Sequence, residues 1–315
     1  MTDAAATPAP DFAFTGPAFD ALYEGKIGPQ LKLLEAERRK AMMWAVLVWG
    51  GFAALMAAEF LITGALTHKR HWFPDARVFS ATLVIGFLGG FIPLGDITRK
   101  TKLQLIHSFS DPLGLAYEIR PAEPEAAQRL TDLGLLPKSD NRFFEDQFKG
   151  RRGDCAFMLC ETNLSRGKGK ESRTVFRGQI FQIAFPRRFM GKTVMLRDSG
   201  WLNSFICPDG LKRVGLEDPH FESLWEVFAD DQIESRAILT PIFMEQMIAL
   251  ESVYAGKNIR CGFHEGDLLI AVEGEDRFEQ GNMFTKLDTR ERAQSMAGDF
   301  AALMGVIDAV LAGKG

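Results

Sequence analysis

Several groups of side chains in this sequence have the types and spacing that chemistry requires. Gly191-Lys192-Thr193 has the form of the end of a phosphate-cradling loop. Such a loop needs a glycine five residues before the glycine of its Gly-Lys pair, so that successive backbone N–H groups curl around a phosphate. That position is Pro186, which has no N–H to give, and strand-forming residues rather than a helix follow, so the phosphate reading is rejected. The carboxylate pairs Glu217-Asp218 and Asp230-Asp231 have the makings of acid/base machinery or of a hard-cation site. Their spacing is equally that of helix caps. Asp218 precedes Pro219 as an N-cap precedes a proline at the first helical position, and Asp231 and Glu234 stand at capping-box spacing. Arg236, on the same expected helix, is placed to form a buried ion pair with Asp230, a role more often structural than catalytic. Asp218, Asp231, Glu234 and Arg236 therefore read as a structural polar network.

Other reactive types give weaker patterns. His107, His220 and His264 are scattered singly, no serine lies in a GxSxG run, and nothing around Cys207 marks a nucleophile. Cys155, Cys160, Cys207 and Cys261 form no CxxC pair and have no metal-type histidine spacing, which points to a reducing compartment. No catalytic residue, metal or cofactor is expected. Gly167 to Lys170 reads as a mobile turn, and Arg152-Gly153-Asp154 has meaning as an adhesion motif only outside a cell.

The more informative signal is charge asymmetry. Residues 149–197 carry twelve Lys/Arg against Asp154, Glu161 and Glu171, a net charge near +9 in a chain whose total is -4. Arg173, Arg177, Arg187, Arg188 and Lys192 are the candidate face toward an anionic membrane surface, where each basic residue gains about 1 kcal/mol. An ordinary solvated face is the competing reading. A pI of 5.8 gives no case for nucleic acid.

The elements that must position these residues begin with two apolar stretches, residues 43–66 and 78–95, separated by a short loop at 67–77. A span needs roughly 20 apolar residues, because helix rise is about 1.5 Å and a bilayer core about 30 Å. Both stretches are near that length and are expected to form a transmembrane helical hairpin. Seven basic residues flank the pair (Lys32, Arg38, Arg39, Lys40, Arg99, Lys100, Lys102) and three lie in the loop (Lys69, Arg70, Arg77), which places both termini in the cytoplasm. The N-terminus lacks a signal-peptide pattern, so the first span reads as a retained anchor. Gly50, Ala54 and Ala58 recur every fourth residue, as do Gly86 and Gly90, and are expected to pack the hairpin against itself or to form a dimer interface. Glu59 is the one acid inside a span, read as an interfacial residue within reach of Lys69, Arg70 or Arg77, or as part of an ion pathway.

Residues 1–17, rich in Ala, Pro and Thr, are expected to be a disordered tail. A helix from Phe19 is interrupted at Gly28-Pro29 and resumes into the first span; residues 96–110 continue the second span as a stalk ending at Asp111-Pro112. A short helix is expected at 124–133, closed by Gly134. Aromatic and β-branched runs at 155–162, 174–185 and 192–196 read as strands, and 258–264 with 267–273 as a hairpin turned at Glu265-Gly266. Cap-and-proline signals open helices after Asp218, through Trp225, and after Thr240, where Phe243, Met247, Leu250 and Tyr254 share a face. A last helix at 289–311 carries Met296, Phe300, Leu303, Ile307 and Val310 on one side. Composition agrees with a hairpin joined to one globular domain: 46% hydrophobic, 25% charged, mean hydropathy -0.04.

Leu22 to Pro29 (LYEGKIGP), Val175 to Phe185 (VFRGQIFQIAF), Gly191 to Val194 (GKTV) and above all Leu216 to Met247 (LEDPHFESLWEVFADDQIESRAILTPIFMEQM) resemble the bacterial domain-of-unknown-function family 3137 over roughly residues 19–311. Trp225 stands where such proteins tend to have Phe. The resemblance implies two N-terminal spans followed by a further domain, and implies no activity.

The sequence thus predicts an α+β chain in three parts: a tail at 1–17, a membrane hairpin with flanking helices at 18–110, and a cytoplasmic domain at 111–315 with an antiparallel sheet and segregated helices. The expected function is that of a binding or scaffold module anchored in a bacterial inner membrane. Its expected partners are the lipid bilayer, on its anionic leaflet, and an unidentified protein. The alternatives are a membrane-bound hydrolase using Glu217, Asp218, Asp230 and Asp231, and a transporter accessory subunit using Glu59.

Overall fold

The computed structural model describes residues 16–66, 76–153, 155–185, 189–197, 210–253, 258–274 and 290–312. The chain divides into two compact units, one comprising residues 20–108 and 279–293 and the other the remainder.

The first unit is helical. Helix α1 (Pro17–Leu22) passes through one π-helical turn (Tyr23–Ile27) into α2 (Gly28–Leu66). The expected interruption at Gly28-Pro29 is absent: Pro29 sits in the first turn of α2, where its missing N–H is not needed, and the wider turn before it accommodates the ring. The second apolar stretch lies in α3 (Ala76–Ser110). Ile27, Leu31, Leu34, Arg38, Ala41 and Ala45 are all buried, at the alternating four- and three-residue steps of a coiled-coil seam. Arg38 is admitted to that seam because Glu35 takes two hydrogen bonds from its guanidinium, both 2.8 Å, and a third from Arg39 at 3.2 Å.

Helix α3 runs antiparallel to α2. Ser108 Oγ donates to Gln30 at 3.1 Å, Ile97 and Trp49 pack around Ala41 and Ala45, and Phe52 lies against Gly86. A Cβ on Gly86 would stand 2.6 Å from Phe52 Cγ, so this crossing requires glycine. Gly50 has open space where a side chain would be, and Ala54 and Ala58 are exposed, so that stripe takes no part in the α2–α3 packing. Among the described residues one helix, Phe19–Ile62, is long and apolar enough to cross a membrane, rather than the two the sequence predicts.

The second unit is built on a nine-stranded sheet, antiparallel throughout, in the order β1-β2-β3-β4-β9-β8-β5-β7-β6. The strands are β1 (Ala116–Glu118), β2 (Asn141–Arg152), β3 (Cys155–Arg166), β4 (Arg173–Ala184), β5 (Thr193–Arg197), β6 (Lys212–Val214), β7 (Trp225–Ala229), β8 (Ile259–His264) and β9 (Asp267–Glu273). Successive side chains of a strand point to opposite faces. One face, with Cys160, Ile180, Val194 and Leu269, is covered by α4 (Glu125–Asp132) and the Leu133–Leu136 segment after it. On the other face Phe148 meets Phe300 of α8 (Arg290–Ala312) edge-on at 5.1 Å, and Phe263 meets Phe243 of α7 (Pro241–Val253) at 5.4 Å. Burial on both sides explains why β9 holds five consecutive buried residues, Leu268 to Val272. The short helices α5 (Pro219–Leu224) and α6 (Gln232–Ile238) bracket β7.

Four strands escape the sequence reading: the three-residue β1 and β6, and β2 and β7. In β2 a bulge between Glu145 and Phe148 breaks the alternation, with Asp146 at φ +49°. Asp146 is fully buried and accepts the Tyr117 hydroxyl hydrogen bond. In β7 every residue is buried, so no period-two pattern marks it, and the helix expected through Trp225 ends at Leu224.

Candidate functional site

Of the residues singled out for chemistry, Gly191, Lys192, Asp230, Asp231 and Glu234 meet at one end of the sheet. Strand β4 ends at Ala184, and Phe185 N–H donates to Gly266 O at 2.8 Å across the β8–β9 turn. Phe189 is buried against Phe185 and Phe263, ring centroids 5.7 and 5.9 Å away, and so pins the chain before β5. Between that anchor and Thr193 the backbone turns outward through Met190, Gly191 and Lys192.

The neighbouring β7–α6 junction holds this turn. Thr193 pairs with Ala229, which brings Asp230 and the start of α6 beside it. Glu234 accepts from Met190 N–H at 3.0 Å with one oxygen and from Gly191 N–H at 2.7 Å with the other. Asp230 Oδ1 accepts from Lys192 N–H at 2.7 Å, and Asp230 N–H donates back to Lys192 O at 3.2 Å. Consecutive N–H groups gathered on an anion make the kind of nest that binds phosphate elsewhere. Here the protein's own carboxylates fill it, which gives the Gly-Lys-Thr motif a structural use. A Cβ on Gly191 would lie 2.5 Å from Asp230 Oδ1 and 2.8 Å from a Glu234 oxygen, so any larger residue must displace these carboxylate oxygens from the clamp.

Two expectations for the polar network are corrected. Glu234 does not turn back to complete a capping box with Asp231, because both its oxygens are engaged by the Met190–Gly191 backbone. Arg236 is exposed, and its Nε donates to Gly215 O at 3.3 Å instead of pairing with Asp230 in the interior. Asp231 accepts from Ile233 and Glu234 N–H at 2.9 and 3.0 Å and caps α6; Asp218 accepts from His220 and Phe221 N–H at 2.8 and 3.1 Å and caps α5. Thr240 Oγ1 does the same for Phe243 N–H at 3.2 Å. Glu217 lines a groove of about 590 Å³ together with Leu216, Leu239, Met244 and Arg236.

His264 borders the clamp. Partial burial lowers its pKa, with Lys192 and Arg129 acting in the same direction against Glu265 and Asp230. Arg129 of α4 reaches the same turn, donating to Asp267 at 2.5 Å, and Gln182 donates to that carboxylate at 2.7 Å. Among the described residues no group of three or more His, Cys, Asp or Glu side chains could hold a metal ion. The thiols of Cys155, Cys160 and Cys261 are buried; burial, with Glu161 alongside, pushes Cys160 up to about 12.

The basic residues are dispersed. Arg173 opens β4 and Lys192 lies beyond its other end, a separation of roughly 36 Å or more at about 3.3 Å per strand residue. Arg177 is exposed between them. Arg152 is paired with Asp308 of α8, and Arg197 with Glu251 of α7 at 2.9 Å. Arg187 and Arg188 lie outside the described residues, as does Cys207. The clamp itself was missed in the sequence; its one trace is a glycine beside an exposed lysine, immediately before a strand.

The class defined by these elements is a helical unit joined to an α+β domain. Residues 174–311, which span β4 to the last turn of α8, match the model of a family described as a protein of unknown function (DUF3137), and over that stretch the resemblance holds. No curated protein matches. Among solved structures, the mycobacterial trehalose monomycolate transport factor A is 10% identical, with 67% of this chain and 94% of that chain covered at a TM-score of 0.38, a likeness that carries no argument.

Proposed function

We propose that the protein is a membrane-anchored binding or scaffold module, with both termini on the cytoplasmic side of a bacterial inner membrane and the α+β domain working at the bilayer surface. The observation that carries this reading is the change in character along α2. Its first half is a packed seam with charged flanks, whereas beyond Lys40 many of its large apolar side chains turn outward: Leu47 is 71% and Leu61 70% exposed, with Trp44, Val46 and Ile62 also bare. Apolar surface of that extent is costly in water and at no cost in lipid. The second apolar stretch, in α3, is read as the returning span of a hairpin.

The hydrolase alternative is disfavoured by the use already made of its carboxylates: Asp218, Asp230 and Asp231 each accept backbone N–H groups. The accessory-subunit reading rests on Glu59 alone. Of the basic candidates, Arg187, Arg188 and Lys192 form the set we assign to the anionic leaflet, because they lie within six residues of one another in the sequence.

Reporter fusions at residue 20 and after Gly315 test the anchor and its orientation together. Cytoplasmic signals from both, with the full chain retained in membranes after alkaline carbonate washing, are the expected result. A chain released by carbonate overturns the anchor, and a periplasmic signal overturns the orientation.

A further inference from the structure

We propose that the groove between the β6–α5 loop and the start of α7 holds a zwitterionic phospholipid, an assignment that rests on the reading of the protein as a membrane-anchored binding module. The groove encloses about 590 Å³, within the range of roughly 300–1,000 Å³ usual for small-molecule sites. Its apolar lining comes from several elements: Leu216 from the loop, Pro219 from the first residue of α5, Leu239 from just after α6, and Met244 from α7. Leu239 and Met244 are 3% and 6% exposed, so they form a floor rather than a rim. The unbranched methionine adapts its shape to a flexible chain. The loop wall is held from behind. Glu222 accepts the Leu216 N–H at 2.7 Å, Asp218 caps α5 through the His220 and Phe221 N–H groups, and Phe221 is fully buried. A site shaped before its ligand arrives loses little to ordering on binding.

Two unlike charges border this apolar lining. Arg236 Nε donates to Gly215 O at 3.3 Å, which fixes the guanidinium beside the groove, and among the described residues its terminal NH2 groups have no partner. Glu217 stands two residues beyond Gly215, with Asp218 next to it, and no donor among the described residues engages the Glu217 carboxylate. A guanidinium fork suits a phosphate, and carboxylates a short way along the rim suit an ammonium. An ethanolamine headgroup offers both, with its acyl chains leaving from the phosphate toward the apolar floor. A purely anionic lipid would set its own charge against Glu217 and Asp218. An extended peptide needs backbone partners, whereas Pro219 and Pro241 have no N–H, and the Leu216 N–H and Gly215 carbonyl are already used.

The test uses the full chain in phosphatidylglycerol nanodiscs, with methionine methyl groups labelled for NMR and the Met244 resonance assigned by its loss in Met244→Leu. Dihexanoylphosphatidylethanolamine should move that resonance saturably. Dihexanoylphosphatidylglycerol keeps the chains and phosphate without the amine, and glycerophosphoethanolamine keeps the headgroup without the chains. Each should bind about tenfold more weakly, the loss of one charge-assisted contact or of the apolar one. Glu217→Gln should remove the preference for the amine, and Arg236→Gln should weaken both phospholipids. Glu217 and Arg236 are exposed, so thermal melts of these variants should match the parent. If dihexanoylphosphatidylglycerol binds the parent as tightly as the ethanolamine lipid, the zwitterion assignment is overturned. If trileucine moves Met244 and the phospholipid does not, the groove takes peptide and the lipid assignment falls. A resonance that no probe moves, in a chain still held by the disc, overturns the groove as a site and leaves the anchored-module reading standing. A chain that leaves the disc overturns both.

Discussion

At the scale of single residues, the clamp makes Gly191 and Asp231 separable in their effects. An alanine methyl at 191 would collide with Asp230 and Glu234, whose oxygens must move to admit it and in doing so lose their bonds to Gly191 and Lys192 N–H. Hydrogen bonds to charged groups contribute about 1.5–3 kcal/mol, so Gly191→Ala should lower stability by about that much, read from denaturant melts. Asp231 behaves as a cap. Asp231→Asn should change stability by a few tenths of a kcal/mol and Asp231→Ala by about 1 kcal/mol, because asparagine supplies the same acceptor to Ile233 and Glu234 N–H. A metal or acid/base role for that carboxylate predicts the reverse ranking in function, with Asn as damaging as Ala.

At the scale of elements, the helix pair and the sheet differ in how much of them the sequence exposes. The caps at Asp218 and Asp231 are legible because a cap is a local event between neighbours in the chain. The hairpin at Glu265-Gly266 is legible because its turn demands left-handed backbone, φ +52° and +81°, and the sequence supplies glycine at the second position. Strand β2 is hidden by the buried Asp146 at its bulge, and the Glu234 grip spans forty-odd residues that no local pattern connects. Gly86 is legible as a small residue but not as the partner of Phe52, which depends on the register of two helices. That register gives a sharp contrast. Gly86→Ala drives a methyl into Phe52 and should destabilise the pair by about 1–3 kcal/mol, as overpacking does. Gly89→Ala meets Val48 only at 3.5 Å and should be neutral or stabilising, since alanine is the better helix former by about 1 kcal/mol. Melts of both variants in detergent check the order, and Phe52→Ala should relieve Gly86→Ala.

At the scale of the whole molecule, buried neutral acids set the alkaline limit of the α+β unit. Cys160 rises from 9.0 to about 12, chiefly through burial, and Cys261 and Tyr117 are raised for the same leading reason. A group whose folded pKa lies above its unfolded value stabilises fully below the unfolded pKa and ceases to do so as pH climbs toward the folded one. Stability should therefore hold up to about pH 9 and fall between there and about pH 12. Cys160→Ala should flatten part of that fall, measured as the slope of unfolding free energy against pH. An unchanged slope would show that Cys160 does not ionise on unfolding in that window.

The sheet's two ends carry a consequence for crowding. It opens with β1 and closes with β6, each three residues long, and the bulge of β2 lies beside the first while exposed Lys212 and Arg213 sit on the second. Long flat margins invite strand-by-strand association between molecules, whereas short, bent or charged ones offer too few consecutive donors and acceptors to template it. Copies of this chain concentrated on a membrane would meet edge to edge far more often than in free solution. If copies share one membrane surface as proposed, outermost strands this short limit strand-by-strand zipping, and lengthening either would be expected to show first as aggregation during expression.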